Sequence, residues 1–310
     1  MVESTLSWPE LPLSAWQDTY LTLQLWTQVV GKIRLMLSPP LNHWWNVTLY
    51  VNARGLTTSA IPYGGGTFEI QFDFLEHALE IRTSHGAVRT LPLRSMPVAE
   101  FYCWVMDELH SLGVVVAIQT RPQEMAIKTP FEEDFEHRTY DPEYAYRVWR
   151  ILISTQNVMQ NFRSQFIGKQ SPIHFFWGSF DLAYTRFSGR PAPPRKGVIS
   201  GPAYSHEVIS AGFWPGAGFA GPAFYAYAVP KPEGLERETV RPASAGWNAQ
   251  LGEFILMYDQ MRAAEFPGDA LLDFLQSTYD ASARLAGWDR AALEARTAQS
   301  ESTAQSGSTR

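Results

Sequence analysis

Ser171-Pro172 leads into His174-Phe175-Phe176-Trp177 and then into Leu182-Ala183-Tyr184-Thr185-Arg186. The same layout stands earlier in the chain. Ser38-Pro39 leads into His43-Trp44-Trp45 and then into Leu49-Tyr50-Val51-Asn52-Ala53-Arg54, at an offset of 131 to 133 residues. In both places a proline stops a helix, and a His-aromatic run opens a stretch rich in aromatic and β-branched residues, as strands require. Recurrence of helix stop, strand start and arginine at one offset points to an internal duplication.

Working outward, Trp16, Tyr20, Leu23, Trp26, Val30, Ile33 and Leu37 recur every three or four residues, which predicts a helix over 13–37. A strand over 44–52 follows. Phe68, Ile70, Phe72 and Phe74 alternate with Glu69, Gln71 and Asp73, the pattern of a strand with one wet face. A hairpin over 79–83 and 88–93 turns at His85-Gly86, Pro97 opens a helix that Gly113 caps, and 114–119 reads as one more strand. After an acidic connector over 121–141, the order begins again. A helix runs from Asp141-Pro142, strands follow over 174–177, 182–187, 207–213, 223–229 and 253–257, and a helix covers 269–286. The expected fold is α+β, with two similar helix–four-strand–helix halves, 1–120 and 142–296, and mostly antiparallel sheets that are packed together or continuous. The Ser/Thr/Gln-rich tail, 297–310, is expected to be disordered.

The 310 residues are 45% hydrophobic and 18% charged, so the chain is globular. Its 11 Trp, 13 Tyr and 18 Phe either fill cores or line a pocket for an organic molecule. A net charge of −6 without a Lys/Arg block disfavours nucleic acid. With Cys103 as its one cysteine the chain forms no internal disulfide, which fits a reducing compartment, and its apolar helical setting predicts a core thiol. Glu3, Pro9 and Glu10 interrupt any signal-like run, and no stretch approaches the roughly 18 apolar residues of a membrane span, so a cytoplasmic protein with no membrane partner is expected.

No nucleophile elbow, zinc-protease helix, phosphate loop or CxxC pair occurs. The densest polar group is His174-Phe175-Phe176-Trp177-Gly178-Ser179-Phe180-Asp181. On a straight strand His174 and Asp181 would face opposite sides; a bulge at Gly178 would bring them together. Arg186, Arg190, Ser205-His206-Glu207 and Phe213-Trp214-Pro215-Gly216 follow closely. Three readings stay open: a satisfied buried polar network, acid–base work by His174 and His206 with Asp181 or Glu207, or a single transition-metal ion held by His174, His206 and one carboxylate. The first half offers His43, Trp44, Trp45 and Arg54 in equivalent places but no counterpart of Asp181, so the site is expected in the second half. His137, with Asp134 and Tyr140, reads as a solvated linker group.

The runs Leu41-Asn42-His43-Trp44-Trp45, Ala53-Arg54-Gly55-Leu56-Thr57-Thr58 and Ile61-Pro62-Tyr63-Gly64 resemble those of the bacterial domain-of-unknown-function family 5996. So do the runs 174–182, 185–190 and Ser205-His206-Glu207-Val208, and the similarity spans residues 8 to 290. The resemblance implies one unit; it implies no activity, substrate or cofactor. The functional expectation is an enzyme acting on a small, partly aromatic or apolar molecule between the halves. His174, His206, Asp181 and Glu207 would be catalytic, Arg186 would hold an anionic group, and Trp177, Trp214, Trp44, His43 and Arg54 would contact substrate. A non-catalytic binder of a hydrophobic ligand and a structural protein are the alternatives.

Overall fold

A computed structural model describes residues 7–295; the expected tail lies outside the described residues. Each half runs helix, six antiparallel strands, helix. The first comprises α1 (Leu13–Leu37), β1 (Tyr50–Val51), β2 (Gly55–Thr57), β3 (Ile61–Tyr63), β4 (Gly66–Asp73), β5 (Ala78–Thr83), β6 (Val88–Pro92) and α2 (Val98–Ser111). The second comprises α3 (Pro142–Ser164), β7 (His174–Phe176), β8 (Asp181–Pro191), the short α4 (Ser200–Ala203), β9 (His206–Trp214), β10 (Ala223–Val229), β11 (Gly246–Asn248), β12 (Glu253–Met257), α5 (Tyr258–Arg262), α6 (Pro267–Leu285) and α7 (Arg290–Leu293). The first sheet is ordered β1-β2-β4-β5-β6 with β3 beside β4, and the second β11-β12-β10-β9-β8-β7. Each sheet thus has six strands where about four were expected, because the short β2, β3 and β11 carry too few residues to show a period.

The sheets meet edge to edge. Leu49 and Phe175 exchange both backbone hydrogen bonds at 2.9 Å, joining the first half to β7. One hydrophobic cluster runs from Leu11 to Trp288 through both halves. At its centre lies α1, buried from Thr19 to Arg34 except at the half-buried Leu21. Such a helix must satisfy its own polar side chains. Gln24, Gln28 and Lys32, spaced four apart on one face, do so against the chain. Gln24 donates to Gly178 O at 2.6 Å, Gln28 bonds the backbone of Gln123, and Lys32 donates to Gln119 O at 2.8 Å and to Arg121 O. This stripe straps 119–123 to the core, so the strand expected over 114–119 is instead an irregular segment.

The strand expected over 44–52 shrinks to β1, because Asn42–Trp44 forms a single 3-10 turn with His43 and Trp44 in the left-handed region (φ 56° and 62°). Cys103 is exposed, not core: α2 buries the face of Val98, Phe101, Val105 and Leu109, and Cys103 points away from it. No helix among the described residues is long and apolar enough to cross a membrane.

Candidate functional site

The second sheet separates two environments by its pleat. On one face Leu182, Tyr184, Phe213, Phe224 and Phe254 pack into the core with α3 and α6. On the other, His174 and Phe176 of β7, Asp181, Ala183, Thr185 and Phe187 of β8, Val208 and Ser210 of β9, and Tyr225 and Tyr227 of β10 line a cavity of about 400 Å³. Trp44, Trp45, Trp177, Val198, Ile199 and Tyr204 complete its walls, and Gln123 and Glu124 stand at its edge. The 42–44 turn and the loop before α4 close over it, with the Trp44 indole donating to Ile199 O at 3.1 Å. An outer chamber of about 540 Å³ shares Ser179, Asp181, Tyr204, Tyr225 and Tyr227, and adds Arg195, Lys231, Trp214 and Glu253.

His174 and Asp181 do share a face, but a hairpin rather than a bulge puts them there. Phe176 pairs with Asp181 and His174 with Ala183, and cross-strand partners point the same way. Asp181 is buried, and its oxygens accept hydrogen bonds from Ser179 Oγ and Tyr225 Oη. Burial raises its carboxyl above the usual carboxylate range, partly offset by those two bonds. Tyr225 reaches it by lying across β9 at Gly212: a Cβ there would sit 2.3 Å from the Tyr225 hydroxyl oxygen. Glu124, itself left-handed at φ 57°, packs its carboxyl on Gly178, where a Cβ would lie 2.9 Å from Cδ. Burial and repulsion from Asp181 raise Glu124, and the same two causes push Glu253 up to about 7.

The His174 ring is buried in the wall, 2.9 Å from Thr48 Oγ1 through Nδ1. The Thr48 hydroxyl also lies 3.3 Å from Trp45 O, which can only accept, so the hydroxyl oxygen is left to accept from Nδ1–H. Nε2 then carries a bare lone pair, with no partner among the described residues. Burial, with Arg34 and Arg163 adding to it, lowers His174 to about 3, so its ring is neutral. His43 is also lowered, first by burial and then by Lys169, whose amine is 2.7 Å from Nε2; its Nδ1 faces Ala203 O at 3.2 Å.

A family model described as a family of unknown function, DUF5996, matches residues 8–295. The chain belongs to this family. No curated protein and no solved structure gives a significant match. Membership covers both halves and all the residues of the cavity, and brings no activity with it.

Of the residues singled out from the sequence, His43, Trp44, Trp177, His174 and Asp181 line the cavity, and Trp214 lines the outer chamber. The others go elsewhere. Arg186 is on the opposite face of β8, buried among Phe162, Phe166 and Tyr279 and donating to Phe162 O, so it is not placed to hold a substrate anion. Arg54 pairs with Asp73 on the outside of the first sheet. Glu207 is held by Arg190 at 2.7 Å, and lines neither chamber. His206 touches the His43 ring edge at 5.9 Å and bonds Ser205, outside the cavity lining. Its even position in β9 puts it on the cavity side, but the strand begins beyond the rim. Among the described residues no group of three His, Cys, Asp or Glu is placed to hold a metal ion, so the His174–His206–carboxylate centre is not assembled. His137 caps its own turn against Asp134 at 2.9 Å. Tyr225, Ser179, Glu124 and Glu253 were missed. The polar residues Gln24, Gln28 and Lys32, four apart on an otherwise apolar helix, are the sequence signal that could have pointed to an anchored connector beside the site.

Proposed function

We propose that this protein binds a small, partly aromatic organic molecule in the cavity between its halves. What carries the reading is a ring-walled space of about 400 Å³ that ends on the buried Asp181 carboxyl. Its size lies in the range of small-molecule sites, and a mostly apolar wall with a few convergent polar groups is their usual make-up. A second reading, acid–base catalysis on that molecule, is favoured by the raised Asp181 carboxyl in contact with the Tyr225 hydroxyl, a pair able to hold and pass a proton.

Trp44, Trp45 and Trp177 in the wall supply the assay. Indole fluorescence is followed while small aromatic alcohols, amines and acids are titrated in. A saturable change is expected in the wild type, and its loss in Ala183→Phe, which fills the cavity floor, provided thermal melting shows that variant folded. If no compound gives a saturable change, or if Ala183→Phe leaves the change intact, the binding reading is wrong. Turnover of a bound compound that Tyr225→Phe slows without weakening binding would establish the catalytic reading.

A further inference from the structure

We propose that the molecule held in this cavity carries a cationic nitrogen, an ammonium or amidinium, seated at the Asp181 end between Asp181 and Glu124; the inference rests on the binding reading. Three carboxyl groups converge here. Asp181 lies in both chambers, Glu124 at the edge of the inner one and Glu253 in the outer one. Glu124 and Glu253 each feel the charge of Asp181, and none of the three forms an ion pair among the described residues. The two cations that line the outer chamber are engaged elsewhere: the Arg195 guanidinium is stacked on Tyr204, 4.7 Å from the ring centre, and Lys231 pairs with Glu236 at 2.5 Å. Repelling carboxylates without a cation are costly, and a cationic guest relieves that cost directly.

A second, independent observation comes from His174. Its ring is 1% exposed, forms part of the wall, and its Nε2 has no partner. With Nδ1–H given to Thr48, Nε2 seeks a donor. Several donors of the lining are already spent. The Trp177 indole donates to Val47 O at 2.7 Å, the Trp44 indole to Ile199 O, and the Thr185 and Ser210 hydroxyls bond each other at 2.9 Å. His43 is occupied on both nitrogens, by Ala203 O and the Lys169 amine. A guest that fits is therefore rich in N–H.

Three isosteric probes test this by calorimetry near neutral pH: 2-phenylethylammonium, 2-phenylethanol and 3-phenylpropanoate. The ammonium is expected to bind about tenfold or more tighter than the alcohol, and the carboxylate weakest. Asp181→Asn should lose about tenfold in ammonium affinity and leave the alcohol within about twofold. Glu124→Gln, at the accessible rim, guards against a misfolded Asp181 variant and should weaken the ammonium alone. If the alcohol or carboxylate binds as tightly as the ammonium, or if both variants bind all three probes like wild type, the cationic guest is refuted while the binding reading survives. If none of the three binds, both fall.

Discussion

Substituting Gly212 by alanine should disconnect Tyr225 from Asp181. The added Cβ would lie 2.3 Å from the Tyr225 hydroxyl oxygen, 2.4 Å from its Cζ and 2.4 Å from the backbone carbonyl oxygen of Leu182. The carbonyl is fixed by the β8–β9 ladder, so the tyrosine ring must give way. Losing a hydrogen bond to a carboxyl costs about 1.5–3 kcal/mol, and overpacking adds about 1–3 kcal/mol. Gly212→Ala should therefore lower stability by about 3–5 kcal/mol in urea unfolding, and Tyr225→Phe, which removes only the hydroxyl, by about 1.5–3 kcal/mol. Both changes break the same bond, so the double variant should fall short of the sum by about 1.5–3 kcal/mol. A Gly212→Ala protein within about 1 kcal/mol of wild type, or strict additivity with Tyr225→Phe, would refute the account of how β9 lets Tyr225 cross it.

Two further outcomes follow from the same geometry. His174 is held at about 3 in the folded chain against 6.5 when unfolded, so the folded state favours the neutral ring. Stability from this group is whole above pH 6.5 and is lost as pH falls toward about 3, because the unfolded chain takes up the proton first. Urea midpoints measured across that window should decline for wild type and less steeply for His174→Gln; parallel curves would show that His174 is not the titrating group. Arg186 is a buried guanidinium packed on rings without a carboxylate partner among the described residues. Arg186→Ala should cost about 2–5 kcal/mol through the void it leaves, and Arg186→Met should recover most of that. Neither should change affinity for a cavity probe, and loss of binding in a folded Arg186→Met would return that arginine to a ligand-holding role.

Much of the architecture is legible one element at a time. Alternation from Phe68 to Phe74 marks β4, and the three-or-four spacing from Trp16 to Leu37 marks α1. Strands of three residues escape, as β2, β3 and β11 do, because a period needs more residues than they have. The candidate site was half legible. The His174–Asp181 run stands out by composition, and both ends do reach the cavity. Arg186, Glu207 and Arg54 looked equally suited by type, yet pleat, an ion pair and the outer surface take them elsewhere.

The sequence by itself determined the long helices, the longer strands and the membership of the family, since periodicity, breakers and long motif runs are properties of neighbouring residues. Tertiary structure decided which face of each strand would be wet, and which distant residues would meet there. Tyr225 comes to Asp181 across 44 residues, and Glu124 reaches the same place because α1 straps its segment down from 95 residues away. Those meetings depend on ladder register, on a missing Cβ at Gly212 and on a polar stripe finding its backbone partners. Each is a non-local closure, and no local pattern encodes its outcome.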